Sequence, residues 1–109
     1  MEISKALEPL DVPVCHPPYS GGSDVFVTFQ SMGQTGTLYA EGKEAETASL
    51  FSIDLYVHKD INAEIYIKKI KELLTDEGYI CVVNAEMYEK ETHLRHYSMT
   101  AERVGEYYA

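Results

Sequence analysis

From Leu50 to His58 apolar and polar side chains alternate: Phe51, Ile53, Leu55 and Val57 fall on one side, Ser52, Asp54, Tyr56 and His58 on the other. A period of two predicts a strand with one dry face and one wetter face. Only Lys59 separates this strand from a stretch of different period. Over Asp60–Glu77 the residues Ile61, Ile65, Tyr66, Ile70, Leu73 and Leu74 recur at three- and four-residue spacing, which predicts an amphipathic helix. Asp60 suits its N-cap, Asn62 and Glu64 bring polarity and negative charge to the first turns, and Gly78 suits a left-handed C-terminal cap. At about 1.5 Å per residue the helix is roughly 27 Å long, enough to lie across a small sheet.

The flanking segments supply the rest of a sheet. Ile3, Ala6, Leu7 and Leu10 share helical spacing, so Met1–Leu10 predicts a short helix cut early by Pro9. Val12–Cys15 reads as a short edge strand, because Pro13 cannot donate to a ladder. His16–Ser23 has the composition of a loop, and Asp24–Gln30 reads as a strand with Val25, Val27 and Phe29 on one face. Ser31–Glu46 is rich in Gly, Thr and Glu, with Leu38-Tyr39-Ala40 as its apolar island. It is read as a long connection, either an arm used in contacts or a solvated loop. Tyr79–Met87 and His93–Val104 read as an antiparallel hairpin around the polar turn Tyr88–Thr92, and Gly105–Ala109 as a frayed tail. The expected fold is a single α+β domain over residues 1–109, in the order α-β-β-β-α-β-β. About five mainly antiparallel strands carry the long helix and the short N-terminal one on one face.

Composition narrows the function classes. The chain carries nine Lys and Arg against eighteen Asp and Glu, a formal charge of −9, which argues against gripping nucleic-acid phosphates. No apolar window is long enough for a transmembrane helix, and Met1–Lys5 has neither the basic leader nor the apolar run of a signal peptide. Cys15 and Cys81 lie in apolar strand-like segments without metal spacing, as buried free thiols do; a bridge between them needs their strands to pair.

Candidate chemistry is sparse. Gly33-Gln34-Thr35-Gly36 lacks the lysine and further glycines of a phosphate-binding loop. His93 and His96 would point to opposite faces of a strand, which disfavours a shared metal. The carboxylates Glu41, Glu44, Glu46, Glu86, Glu89 and Glu91 fall in turns and loops, where nothing separates their acidities for acid–base work. No catalytic, cofactor or metal residue is assigned. The nine tyrosines, with no tryptophan, are more informative: Tyr19, Tyr39, Tyr56, Tyr88, Tyr107 and Tyr108 fall on loops, polar faces or the tail. Tyrosine joins a large contact area to a polar tip and is enriched where proteins meet.

Several segments together resemble a known group. They are the proline–valine strand, the tyrosine- and glycine-bearing loop, Phe26-Val27-Thr28-Phe29, Leu38-Tyr39-Ala40-Glu41-Gly42, Phe51–Tyr56, Ile67–Leu74 and Glu77-Gly78-Tyr79. Met87–Tyr97, an acidic turn followed by an aromatic-bearing strand, is the most telling. Over roughly residues 12–104 the chain is similar to the tail-terminator, or tail-completion, proteins that join head to tail in long-tailed phages and prophages.

That resemblance implies a structural virion protein without enzymatic activity or cofactor. It implies a hexameric ring that caps the tail tube and docks on the head connector, found in the host cytoplasm before assembly. Leu38, Tyr39, Glu41, Tyr56, Tyr88, Tyr107 and Tyr108 are the expected interface residues. Six copies at −9 each carry −54, a negative lumen through which DNA would pass without specific binding. The alternatives are a small acidic regulator or inhibitor that mimics DNA, which the lysines of the helix weaken, and a small enzyme or ligand-binding domain.

Overall fold

The computed structural model describes residues 3–40 and 43–106. Five strands form one mixed sheet in the order β1-β2-β3-β5-β4. They are β1 (Val14–Cys15), β2 (Val25–Ala40), β3 (Lys43–His58), β4 (Ile80–Glu89) and β5 (Leu94–Glu106). Helix α1 (Ile3–Ala6) and a single 3-10 turn (Glu8–Leu10) precede β1, and α2 (Ala63–Asp76) joins β3 to β4. The fold is α+β.

The alternation in β3 does what its period dictates. Ile53, Leu55 and Val57 are fully buried, and Val25, Val27 and Phe29 of β2 with Tyr97, Met99 and Ala101 of β5 are buried beside them. Ala63, Ile70 and Leu74 of α2 and Ile3, Leu7 and Leu10 of the N-terminal turns close the same core from one side of the sheet. The other side carries no helix among the described residues.

Several sequence expectations need correction. Helix α2 starts later and is shorter than Asp60–Glu77, with fourteen residues capped by Asn62, whose side chain accepts the Glu64 N–H at 3.0 Å. Asp60 is instead held in the turn after β3, where its N–H points to His58 Nδ1 at 3.4 Å and the Ile61 N–H bonds to the His58 carbonyl. The buried stripe runs through Ala63, Ile70 and Leu74, with Tyr66, Ile67 and Leu73 partly buried, and leaves Ile65 63% exposed. Gly78 does adopt a positive φ of 87°, closing the helix as expected, and the Gly78 N–H reaches the Thr75 carbonyl. The N-terminal helix is a single turn, because Pro9 falls in the 3-10 segment rather than continuing it. Strand β1 is two residues long and runs parallel to β2, Val14 opposite Val27 and Cys15 opposite Thr28.

The largest correction concerns Ser31–Glu46. Its described residues are strand: β2 runs on to Ala40 and β3 begins at Lys43, paired antiparallel from Gly33↔Leu50 to Ala40↔Lys43. Strand β5 accompanies β3 as far as Glu46↔Glu106, so Gly105 and Glu106 belong to the sheet rather than to a frayed tail. At about 3.3 Å per residue a sixteen-residue strand spans roughly 50 Å, and the molecule measures 53 × 25 × 22 Å. The two longest strands set its long axis.

The strand order also decides the cysteine question. Cys15 in β1 and Cys81 in β4 stand at opposite edges of the sheet, roughly 19 Å apart at four strand spacings, and both are free thiols. A bridge requires Cα atoms within about 7 Å.

Candidate interaction surface

The helix-free face of the sheet is built by residues of alternate parity to the core. In β2 these are Phe26, Thr28 and Gln30, in β3 Ser52, Asp54, Tyr56 and His58, and in β5 Leu94, His96, Ser98 and Thr100. Register brings Phe26 opposite Tyr56 and Tyr56 opposite His96, while Met87 of β4 lies opposite His96 on the far side. Cross-strand neighbours on one face come within stacking distance, so three rings line up across three strands. Phe26 stacks on Tyr56 with centroids 4.7 Å apart, and Tyr56 on His96 at 4.3 Å, both pairs nearly parallel.

A fourth ring arrives from the loop before β2. Tyr19 stacks on Phe26 at 4.0 Å, and its hydroxyl accepts the Ser23 N–H at 3.0 Å. A Cβ on Gly21 would sit 2.2 Å from the Tyr19 hydroxyl, so this close approach needs glycine at position 21. The loop ends with Ser23, whose Oγ donates to the Val25 carbonyl at 2.7 Å.

At its other end the row of rings is anchored by a carboxylate. His96 Nε2 lies 2.7 Å from Asp54 Oδ1, with both side chains mostly buried, and Ser52 Oγ donates to Asp54 Oδ2 at 3.5 Å. A hydrolytic relay needs the hydroxyl on the histidine and the carboxylate behind it. Here Ser52 and His96 both contact the carboxylate, so the arrangement orients rings rather than activating a nucleophile.

Between the Tyr19 loop and the β4–β5 turn lies a cleft of about 530 Å³, lined by Pro18, Tyr19, Phe26, Tyr56, Glu89 and Leu94 among others. Glu89 and Asp54 bear on the Tyr56 phenol, and burial, then Asp54, then Glu89, raises its pKa above the ordinary value. Along the outer strand, Ile80, Val82 and Met87 of β4 are exposed by 68%, 51% and 48% on this same face. A β-bulge between Val83 and Ala85 puts Asn84 beside Thr100, its side-chain amide donating to the Thr100 hydroxyl.

The expected interface residues divide unevenly. Tyr56 stands in the centre of the ring row. Tyr88 lies on the opposite face of β4, its hydroxyl 3.1 Å from Nδ1 of His93. Leu38 and Tyr39 belong to β2, opposite Glu46 and Glu44 in register, and Glu41, Tyr107 and Tyr108 lie outside the described residues. The row members Tyr19, Phe26 and His96 were not among the expected interface residues. Phe26 signalled itself only as a large aromatic on the polar side of its strand.

A scan against protein-family models and a sequence search of curated proteins both find no match. Among the described residues no three His, Cys, Asp or Glu side chains gather as a metal site requires, and no helix is long and apolar enough to cross a membrane.

Three groups report on this packing through pH. Burial raises Tyr97, with Arg95 opposing and Glu86 adding both charge and a hydrogen bond; burial also raises the Cys81 thiol, against the pull of Lys71. With Tyr56 they keep their protons in the folded chain while the unfolded chain ionises at ordinary values. Their stabilising effect is complete below about pH 8.5 and is lost as pH rises through the cysteine and tyrosine ranges. Urea midpoints are expected to fall between about pH 9 and 11. They should fall less steeply in Tyr56→Phe, and an identical slope in that variant would show that Tyr56 plays no part.

Proposed function

We propose that this protein is a structural subunit of the neck of a long-tailed phage, assembling as a six-membered ring that ends the tail tube and joins it to the head connector. The observation that supports this most is the helix-free sheet face. It places a stacked ring row beside exposed Ile80, Val82 and Met87, a composition suited to contact with other protein. The long β2–β3 arm supports the same reading, since a subunit in a ring must offer two different surfaces to its neighbours. The formal charge of −9 per subunit suits a lumen that lets DNA slide past without holding it. The proposed partners are further copies of this chain, a tail-tube protein and a head-connector protein; DNA only passes through.

The proposal is tested by adding the purified chain to tail-tube subunits during polymerisation. Arrest of elongation at substoichiometric amounts, with the protein found at tube ends, is expected. Tubes that elongate unchanged and sediment without it would overturn the reading.

A further inference from the structure

Two stretches of sheet edge carry neither charge nor proline, the commonest guards against strand addition. Edge strands are commonly protected by charge or proline, because an open row of N–H and C=O groups templates another strand. In this chain a quarter of the residues are charged, yet β2 has no Asp, Glu, Lys, Arg or Pro in its sixteen positions. Only Val27 and Thr28 of β2 are paired on its outer side, by β1, and among the described residues no strand covers that side from Gly33 onward. At the opposite edge, β4 opens with the uncharged run Ile80–Ala85, in which Ile80 and Val82 are exposed.

We propose that these two edges are made for each other: Ile80–Val83 of one copy adds as a strand to Gly33–Gly36 of the next. This rests on the ring reading and names the contact within it. Register irregularities at Ser31/Gly33, Gly36/Leu38 and Val83/Ala85 bound both runs, so each is an uninterrupted stretch of four residues. Direction agrees as well. β2 is antiparallel to β3, β3 to β5 and β5 to β4, so β4 runs opposite to β2. A neighbour related by rotation about an axis near the strand direction therefore meets it antiparallel, the sheet's main pairing mode.

The offset is small. Ile80 is level with Gly33 through Glu102 and Leu50, so pairing it with Gly36 shifts the neighbour by three residues, about 10 Å. Strands in the ring are then inclined to its axis, as in any closed barrel. Repulsion between copies at −9 each favours contact through uncharged segments. A twofold β4–β4 pairing would leave the equally uncharged edge of β2 uncovered. The head-to-tail contact covers both.

The test uses two variants of the full chain, Val82→Glu to block β4 and the pair Gln34→Glu and Thr35→Glu to block β2, each checked for native circular dichroism. Masses are followed over a concentration series for each variant and for an equimolar mixture. Wild type should form higher oligomers and each variant alone a monomer. The mixture should stop at a one-to-one dimer, joined by the intact β2 of one and the intact β4 of the other. A dimer formed by the β2-blocked variant alone would overturn the inference in favour of β4–β4 pairing. Rings that persist in both variants would overturn the edge assignment and leave the ring reading standing. A wild-type chain that is monomeric throughout also overturns it as a self-contained contact, and binding to tail tubes then decides the ring reading separately.

Discussion

Replacing Ile53 or Ile70 by alanine is expected to lower the free energy of unfolding by about 2–5 kcal/mol. Both side chains are 0% exposed, one at the centre of β3 and the other on the inner face of α2, so truncation leaves a cavity that neither sheet nor helix can collapse to fill. A domain of this size is stable by only about 5–15 kcal/mol, so either change removes a large part of the margin. The control is Ile65→Ala on the same helix. Ile65 is 63% exposed, and its loss should stay within about 0.5 kcal/mol. Urea unfolding followed by circular dichroism compares the three. Equal losses at positions 65 and 70 would show that the helix packs through a different face.

The second large effect belongs to Tyr56. Tyr56→Ala removes both of its stacks, on Phe26 and on His96, and opens a gap in the middle of the ring row. Each such pair contributes about 0.5–1.5 kcal/mol beyond the burial of its area, so the two stacks alone make the expected loss at least about 1–3 kcal/mol. Tyr56→Phe keeps the stacks and should keep nearly all the stability. The row also organises the cleft, so the alanine variant should lose assembly or tail-tube binding in conditions where it remains folded. Full binding by folded Tyr56→Ala would show that the ring row supports the sheet and takes no part in contacts.

The parts of this fold that were legible in the sequence are those with a buried face. β3 declared itself because Phe51, Ile53, Leu55 and Val57 alternate with polar residues, and the core needs that alternation. The hairpin of β4 and β5 was visible for a related reason, two apolar runs around a polar turn. The outer half of the β2–β3 ribbon was not, since Gly33-Gln34-Thr35-Gly36 offers no alternation, and its pairing is read from the backbone ladder alone. The helix start was misplaced because Asp60 and Asn62 are both good caps and only the turn at His58 decides between them.

The site was harder to see. Period two places Tyr56 and Asp54 on the wetter face, but says nothing of which residues on other strands stand beside them. His96 is forty-two residues from Asp54, and their contact depends on the β3–β5 register. Tyr19 joins from a loop, its hydroxyl lying close against Gly21. Tyrosine content predicts a contact surface but not which rings stack, which tertiary register decides.

The most direct test of the central claim, that this chain is a ring-forming neck subunit, is electron microscopy of the purified protein at high concentration and again with tail tubes, with mass measured on the same samples. The account predicts closed rings with a central hole and six times the 12.3 kDa mass of one chain, free or seated at tube ends. A monomer at every concentration that also leaves the tube ends bare would contradict it.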